Sequence, residues 1–223
     1  MNKQYKACIF DMDGTVLDTL STIAYYGNEA LKHFGFPTQP TEDYKYFAGN
    51  GAKVLVHRML SASDSDTAEN FGAVYPYYVA LYEKDTSYLT APYEGISSML
   101  SALREMGVSA AVLTNKPNAA AQSVRKEMFL PEDFALCVGQ TEERPVKPAP
   151  DGALYIADSL GVSPKECLYI GDTWVDMDTG KAAGMDTVGV LWGFREEAEL
   201  KAHGAKFIIK EPMELISIIE GEK

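Results

Sequence analysis

Two carboxylates lie two residues apart directly after a short apolar segment near the start of the chain. The segment Ala7–Phe10 is bounded by polar residues, and this pattern predicts a buried strand. Asp11 and Asp13 follow it, and Gly14 predicts a tight turn. Two carboxylates this close repel each other unless a cation lies between them or one holds a proton. Both arrangements are useful in catalysis, so this stretch is the first candidate for a functional site.

More polar side chains follow later predicted strands or precede a predicted helix: Thr114, Asn115, Lys147, Asp172 and Asp176. The ends of parallel strands meet at one edge of a sheet, where open α/β sheets bind their ligands. Carboxylate oxygens suit Mg²⁺, and a lysine and a threonine beside them suit the oxygens of a phosphoryl group. The set therefore predicts phosphoryl chemistry at a magnesium site.

Strand and helix patterns alternate over most of the chain and must position these residues. Apart from the first strand, the predicted strands span residues 109–115, 134–139, 167–172, 187–191 and 207–209. Helices are predicted between them and at the end, over residues 96–106, 118–128, 151–160, 175–183, 196–203 and 212–219. Such alternation is typical of βαβ units. The sequence therefore predicts an α/β fold with a Rossmann-like parallel sheet.

One region interrupts this alternation. Residues 18–85 carry apolar residues at helical spacing, which predicts helices over 20–34, 41–47, 53–60 and 66–84 and no strand among them. We interpret 18–85 as a helical domain inserted between the first strand and the rest of its sheet, with 1–17 and 86–223 forming the core domain. The two connections, near 15–19 and 86–95, are the expected hinges.

Composition excludes several classes of function. The net charge of −12, from 32 acidic and 20 basic residues, argues against a nucleic-acid binder, which needs a basic surface. No apolar run approaches the ~20 residues of a membrane span, and no signal peptide is evident. The three cysteines form no metal or redox motif, and an odd number of them suits a reducing, cytoplasmic compartment.

Four motifs resemble, in the same order, those of the haloacid-dehalogenase superfamily: Asp11-Met12-Asp13-Gly14-Thr15, Leu113-Thr114-Asn115, Lys147-Pro148 and Gly171-Asp172-Thr173-Trp174-Val175-Asp176. The resemblance covers the whole chain, and the inserted helices resemble the helical cap of that superfamily. Gly49-Asn50-Gly51, with the segment 54–60 that follows, is similar to the cap of phosphoglycolate phosphatases. The resemblance implies a Mg²⁺-dependent phosphatase that acts on a small phosphorylated substrate.

The resemblance assigns roles to the first two acids. Asp11 is the expected nucleophile, because a carboxylate can attack phosphorus and form an aspartyl-phosphate. Asp13 is the expected general acid and base, and an acid at this position favours phosphoryl transfer over dehalogenation. Mg²⁺ would be held by Asp11, by the backbone carbonyl of Asp13 and by Asp172.

The remaining motif residues are expected to bind phosphate or to support the site. Lys147 and Thr114 would contact phosphoryl oxygens, with help from the Asn115 amide, and Asp176 would hold either Lys147 or a metal-bound water. In the cap, the turn Gly49-Asn50-Gly51 and Lys53 are expected to set specificity, because glycines allow backbone amides close to a leaving group. His57 and Arg58 are further candidates for contact with a substrate carboxylate.

Three alternatives stay open at this point. A β-phosphoglucomutase-like phosphomutase and a pyrophosphatase share the same superfamily core. A response-regulator receiver domain uses a similar set of acids, a threonine and a lysine, but it needs neither a helical cap nor an acid at the position of Asp13. The expected oligomeric state is a monomer or a homodimer.

Overall fold

A six-stranded sheet forms the centre of the molecule. The computed structural model describes residues 5–221. The strands are all parallel and lie in the order β5-β4-β1-β6-β7-β8. They span β1 Ala7–Phe10, β4 Ser109–Pro117, β5 Leu136–Gln140, β6 Cys167–Gly171, β7 Asp186–Val190 and β8 Phe207–Ile209. The predicted α/β fold with a Rossmann-like sheet is confirmed.

Helices connect the strands of this sheet. They span α5 Ile96–Glu105, α6 Asn118–Met128, α7 Asp151–Ser159, α8 Trp174–Ala182, α9 Glu197–Ala202 and α10 Glu214–Glu220. The largest shifts from the predicted bounds in this part of the chain are of two residues: β5 and α10 start later than expected, and β4 ends later. The predicted starts of β5 and α10 lie in the preceding loops, where apolar residues extend the periodic pattern beyond the element itself.

The central strand β1 is buried on both faces. Ala7 and Ile9 pack in one hydrophobic cluster, and Cys8 and Phe10 pack in another, because successive side chains of a strand point to opposite faces. All four residues are at most 1% exposed. The carboxyl end of β1, where Asp11 follows, is therefore held in a rigid position.

Four helices form the inserted region: α1 Leu20–His33, α2 Tyr44–Phe47, α3 Ala52–Ser61 and α4 Ala68–Tyr82. A 3₁₀ turn, Thr41–Asp43, precedes α2. These helices bury their own apolar cluster, which includes Leu31, Met59 and Val74. Phe194, from the loop after β7, also belongs to this cluster, so the core contributes a side chain to the packing of the insertion.

A two-stranded antiparallel ribbon joins the hinges. It pairs β2 Leu17–Asp18 with β3 Ala91–Pro92, and neither strand was predicted, because two residues are too few for a periodic pattern. Next to the ribbon, the Thr22 hydroxyl donates to the Tyr88 carbonyl at 2.6 Å and lies 2.9 Å from Thr90 Oγ1. The two connections thus contact each other.

Among residues 5–221, no helix combines the length and the apolar character needed to cross a lipid bilayer. Of the three cysteines, Cys8 and Cys167 are buried and Cys137 is half-buried.

Candidate active site

Asp11 lies at the carboxyl end of β1, almost fully buried. Its backbone N–H donates to the Ile170 carbonyl at 2.9 Å, which continues the sheet by one residue. The Asp11 Oδ1 atom accepts from the Met12 N–H at 2.7 Å and lies 2.7 Å from Lys147 Nζ. Both contacts use the same oxygen, on a side chain that β1 holds at the sheet edge.

Lys147 connects two of the predicted acids. Its Nζ lies 2.7 Å from Asp11 Oδ1 and 2.7 Å from Asp176 Oδ1, and its side chain is 2% exposed. The Lys147 N–H donates to Asn115 Oδ1 at 2.8 Å, and Asn115 Nδ2 donates to the Lys147 carbonyl at 3.1 Å. The Asn115 side chain therefore fixes the backbone that presents Lys147, a role that sequence reasoning did not assign to it.

Asp176 is held by the start of α8. Its Oδ2 accepts from the Thr173 N–H at 3.0 Å and from the Thr173 hydroxyl at 2.8 Å, which forms a capping box. The other oxygen accepts from Lys147. Gly171 makes this arrangement possible, because a Cβ there would lie 2.2 Å from the Asp176 Cβ. Of the two supporting roles expected for Asp176, the structure shows the contact with Lys147.

Asp172 is completely buried at the end of β6. Its two oxygens accept from the Thr15 hydroxyl at 2.9 Å and from the Phe194 N–H at 2.8 Å. Gly14 approaches it closely with a φ of 85°, and a Cβ on Gly14 would lie 2.3 Å from Asp172 Oδ2. Only a glycine fits this position, since other residues lack both the space and the backbone freedom.

The three acids Asp11, Asp172 and Asp176 form one buried cluster. Each offers a carboxylate oxygen within 4.8 Å of the others. Burial raises the pKa of Asp11 well above its ordinary range; Lys147 opposes this rise, while Asp176 and Asp172 add to it. Burial and the neighbouring Asp176 raise the pKa of Asp172 to about 7. One lysine therefore compensates only part of the negative charge of the cluster. The carboxylate oxygens of the three acids are hard donors that fit a divalent cation.

The pKa of Lys147 is raised as well. Burial alone would lower it, but the carboxylates of Asp11 and Asp176 outweigh burial. The side chain is therefore an ammonium group that can donate to an anion as well as to the two acids.

Thr114 lies at the same edge and is 3% exposed. Its Oγ1 accepts from the Lys116 N–H at 3.2 Å, which leaves the hydroxyl hydrogen available as a donor. Thr114 can therefore donate to a ligand oxygen in front of β4.

Asp13 has a cationic partner that sequence reasoning missed. Its Oδ1 lies 3.0 Å from Lys116 Nζ, and the same Nζ donates to the Tyr82 hydroxyl of α4 at 2.7 Å. Burial alone would lower the pKa of Lys116, but Asp13 and Tyr82 raise it above its ordinary value. The only signal in the sequence was the position of Lys116, directly after Thr114 and Asn115.

A cavity that is partly open to solvent separates this edge from the inserted helices. The core lines it with Asp11, Asp13, Thr114, Asn115, Lys116, Pro117 and Ala120. The insertion lines it with Ile23, Ala48, Gly49, Gly51, Ala52, Leu55, Tyr78, Val79, Tyr82 and Glu83. Acids and hydrogen-bond donors on one wall thus face mostly apolar side chains on the other.

The predicted specificity loop contributes to the cavity only in part. Gly49 and Gly51 line it, and the Gly49 carbonyl accepts from Asn115 Nδ2 at 3.2 Å. Asn50 instead accepts from Arg58 through Oδ1 at 2.9 Å. Lys53 is exposed and is not among the lining residues.

The expectation that His57 and Arg58 meet a substrate carboxylate does not fit their contacts. His57 Nδ1 lies 2.8 Å from Asp66 Oδ1, and its ring stacks on Phe71. Arg58 also donates to the carbonyls of Tyr46 and Phe47 at 2.9 and 3.1 Å. Helix α3 buries one face, with Leu55, Val56, Met59 and Leu60, and the His57 and Arg58 side chains contact other parts of the insertion rather than the cavity.

The chain belongs to the haloacid dehalogenase-like hydrolases, whose family model matches residues 8–190. A phosphoglycolate phosphatase from Pseudomonas putida is 31% identical over 90% of this chain and 75% of its own length. An N-acetylmuramic acid 6-phosphate phosphatase from Pseudomonas aeruginosa is 30% identical, over 96% of this chain and 95% of its own length.

A solved structure is similar over nearly the whole chain. It is that of a candidate phosphoglycolate phosphatase from Lactobacillus delbrueckii subsp. bulgaricus, with a TM-score of 0.93 and 33% identity. The similarity extends over 97% of this chain and 98% of the chain in that structure. The predictions of family membership and of an enzyme of the phosphoric monoester hydrolase class are confirmed.

Proposed function

We propose that the protein is a Mg²⁺-dependent phosphatase that hydrolyses a small phosphate monoester through an aspartyl-phosphate intermediate. One observation carries the proposal. The Asp11 carboxylate lines the cavity, 2.7 Å from Lys147 Nζ and within the acidic cluster that it forms with Asp172 and Asp176. A nucleophile, a phosphate-binding cation and cation-binding acids therefore share one small volume.

Each side chain at the sheet edge has a role in this proposal. Asp11 attacks the phosphorus atom and forms the covalent intermediate. Lys147 and the Thr114 hydroxyl donate to the phosphoryl oxygens and orient them for attack. Asp13 gives a proton to the leaving oxygen and later accepts one from the attacking water.

The acidic cluster is the proposed magnesium site. Asp11 and Asp172 would hold Mg²⁺ together with the backbone carbonyl of Asp13, and the incomplete compensation of the buried acids supports a cation here. When bound, Mg²⁺ supplies Lewis-acid stabilisation of charge between the nucleophile and the phosphate. Asp176 keeps Lys147 in place through the contact at 2.7 Å.

We further propose that residues 18–85 form a cap domain over a core of residues 1–17 and 86–223. The separate apolar cluster of the inserted helices supports this division. The cap supplies most of the wall that faces the leaving group, so it is the part that selects among phosphate esters. Its Gly49 and Gly51 allow the closest approach of backbone to the ligand.

The first candidate substrate is phosphoglycolate, supported by the names of similar proteins. A sugar phosphate is the second candidate, since a relative of nearly equal identity is named for N-acetylmuramic acid 6-phosphate. A phosphomutase, a pyrophosphatase and a phospho-accepting receiver differ from a monoesterase in their products. The monomeric or homodimeric state and the cytoplasmic location stay predictions.

One panel of substrates tests the proposal. Phosphoglycolate, N-acetylmuramic acid 6-phosphate, glucose 1-phosphate and pyrophosphate are incubated with the protein in Mg²⁺ and in EDTA, and free phosphate is measured. We expect phosphate release from a monoester in Mg²⁺ only. Isomer formation without free phosphate would indicate a mutase. Preference for pyrophosphate would indicate a pyrophosphatase, and a lasting aspartyl-phosphate would indicate a receiver.

A further inference from the structure

Lys116 lies at the boundary between the sheet edge and the inserted helices. It belongs to β4, and its side chain is 5% exposed. The Nζ atom lies 3.0 Å from Asp13 Oδ1, donates to the Tyr82 hydroxyl at 2.7 Å and lies 4.5 Å from the centre of the Tyr82 ring. One buried ammonium group therefore contacts an acid of the core and a tyrosine at the end of α4.

Packing alone does not account for a charge at this position. Moving an ammonium group out of water costs several kcal/mol, and an apolar side chain of similar volume often serves stability as well or better. Here Lys116, Asp13 and Tyr82 all line the cavity in which the proposed chemistry takes place. The ion pair is therefore better explained by a task at the site than by the stability of the fold.

We propose that Lys116 positions the Asp13 carboxyl for proton transfer. Through its hydrogen bond with Lys116, Tyr82 makes the position of this carboxyl depend on the position of α4. The inference rests on the proposed phosphatase function. Lys116 acts through Asp13, so it is a positioning residue. Asp13 is half-buried, with a side chain 20% exposed, so a contact at 3.0 Å limits the rotamers that it can adopt.

The reaction gives this positioning two uses. In the first step, the Asp11 oxygen bonds to phosphorus, the bond from phosphorus to the leaving oxygen breaks, and the proton of Asp13 moves to that oxygen. In the second step, a water oxygen bonds to phosphorus, the bond to Asp11 breaks, and a proton of the water returns to Asp13. Both transfers need Asp13 within hydrogen-bond reach of the reacting oxygen.

The leaving group provides a readout that a purely structural role would not affect. An alkoxide is a poor leaving group and needs the proton of Asp13 in the first step. Nitrophenolate is stable as an anion and leaves without one. Loss of the positioning should therefore slow the first step for an alkyl phosphate and largely spare it for p-nitrophenyl phosphate.

The experiment compares Lys116→Met and Tyr82→Phe with the wild-type protein in Mg²⁺. Single-turnover rates of the first step, measured as release of nitrophenol or of the alcohol, are compared for p-nitrophenyl phosphate and for the alkyl phosphate that the wild type hydrolyses fastest. We expect Lys116→Met to slow the alkyl ester by about 100-fold and the nitrophenyl ester by less than about fivefold. Tyr82→Phe should show the same selectivity with a smaller loss, because it removes only the hydroxyl that receives the bond from Lys116.

Lys126→Met is the matched control, since Lys126 is exposed on α6, and its rates should equal those of the wild type. An equal loss for both esters, no loss, or a change in KM alone would overturn the inference. If a thermal melt shows that Lys116→Met is not folded, Tyr82→Phe tests the inference instead. The quantity compared is again the loss of rate for the alkyl ester relative to the loss for the nitrophenyl ester. Failure of the wild type to hydrolyse either ester would instead refute the proposed function itself.

Discussion

The two walls of the cavity differ in chemistry. The sheet edge presents buried charged groups held by short contacts, such as Lys147 between Asp11 and Asp176 at 2.7 Å from each. The facing cap wall is mostly apolar, and of its lining residues within the described part of the chain only Glu83 carries a charge. The difference supports the proposed division of labour, in which the edge would bind the phosphoryl group and the inserted helices would select the leaving group by shape.

The way in which the two walls are stabilised also differs. At the edge, directional hydrogen bonds hold the buried acids, for example those from the Thr15 hydroxyl and the Phe194 N–H to Asp172. In the cap, aromatic contacts are frequent, such as those between Tyr26 and Tyr82 and between Tyr78 and Tyr82. A directional network tolerates few substitutions, whereas an apolar wall tolerates changes that keep its volume. The predictions below test this contrast.

The largest expected effect is that of Asp11→Asn at the edge. The change removes the nucleophile and one proposed ligand but keeps the volume, so we expect activity to fall by about 10⁴-fold or more. The fold should remain, because a neutral side chain removes the buried charge and the repulsion from Asp176 and Asp172 that together raise the pKa of Asp11. Lys147 also keeps its contact with Asp176. Phosphate release and circular dichroism measure the two outcomes.

Asp158→Asn is the control for this change, because Asp158 is exposed on α7 and its replacement should leave activity unaltered. Substantial turnover by a folded, uncontaminated Asp11→Asn protein would show that Asp11 is not the nucleophile.

Chelation is expected to have the next largest effect. EDTA should reduce turnover to background, and Mg²⁺ at about 100 times its Kd should stabilise the fold by about 2.7 kcal/mol, or about 5–10 °C in Tm. Ca²⁺ should raise Tm but support poor turnover, because it is larger and less strictly octahedral. Differential scanning fluorimetry and a phosphate assay in each metal check this.

Asp172→Asn separates a metal effect from general ion stabilisation. It removes one carboxylate of the cluster, and the Tm increase with Mg²⁺ should largely disappear. Full activity after exhaustive chelation, or an unchanged Tm increase in Asp172→Asn, would contradict a metal site at the sheet edge.

The edge could be predicted from the sequence because each part of it is local. Asp11 and Asp172 directly follow apolar strands, and parallel strands bring their carboxyl ends together whatever the loops do. Thr173 and Asp176 form a capping box that is visible in four consecutive residues. The prediction of convergence therefore required only strand boundaries and the order of elements.

The contacts across the cavity could not be predicted in this way. The pairing of Lys116 with Asp13 and Tyr82 joins residues 34 and more positions apart, and it depends on the placement of the cap. Phe194 reaches both Asp172 and the cap cluster from a loop without periodic pattern. His57 and Arg58 were expected to contact a ligand carboxylate because they lie on the helix after the glycine turn, but their contacts are with Asp66 and with the carbonyls of Tyr46 and Phe47.

The smallest effect should come from the cap loop, and it should depend on the substrate. Gly51 has a φ of 86°, and a Cβ there would lie 3.4 Å from the Asn115 carbonyl. Gly51 also has a ψ of 166°, a combination that is nearly restricted to glycine, so Gly51→Ala strains the backbone by about 1–3 kcal/mol and moves the loop relative to the sheet edge. We expect kcat/KM to fall by different factors for phosphoglycolate, pyrophosphate and a sugar phosphate, with a spread of roughly tenfold.

Gly107→Ala is the matched control, because Gly107 also has a positive φ, 70°, but a Cβ there would meet nothing within 4 Å. It should also lower stability, but it should leave the ratios among the three substrates unchanged. The Tm increase with Mg²⁺ should persist in both variants, since neither changes a carboxylate of the edge. A uniform loss for all three substrates in Gly51→Ala, or the same ratios as in Gly107→Ala, would mean that this loop does not select the leaving group. Selection would then fall to the apolar side chains of α1, α3 and α4.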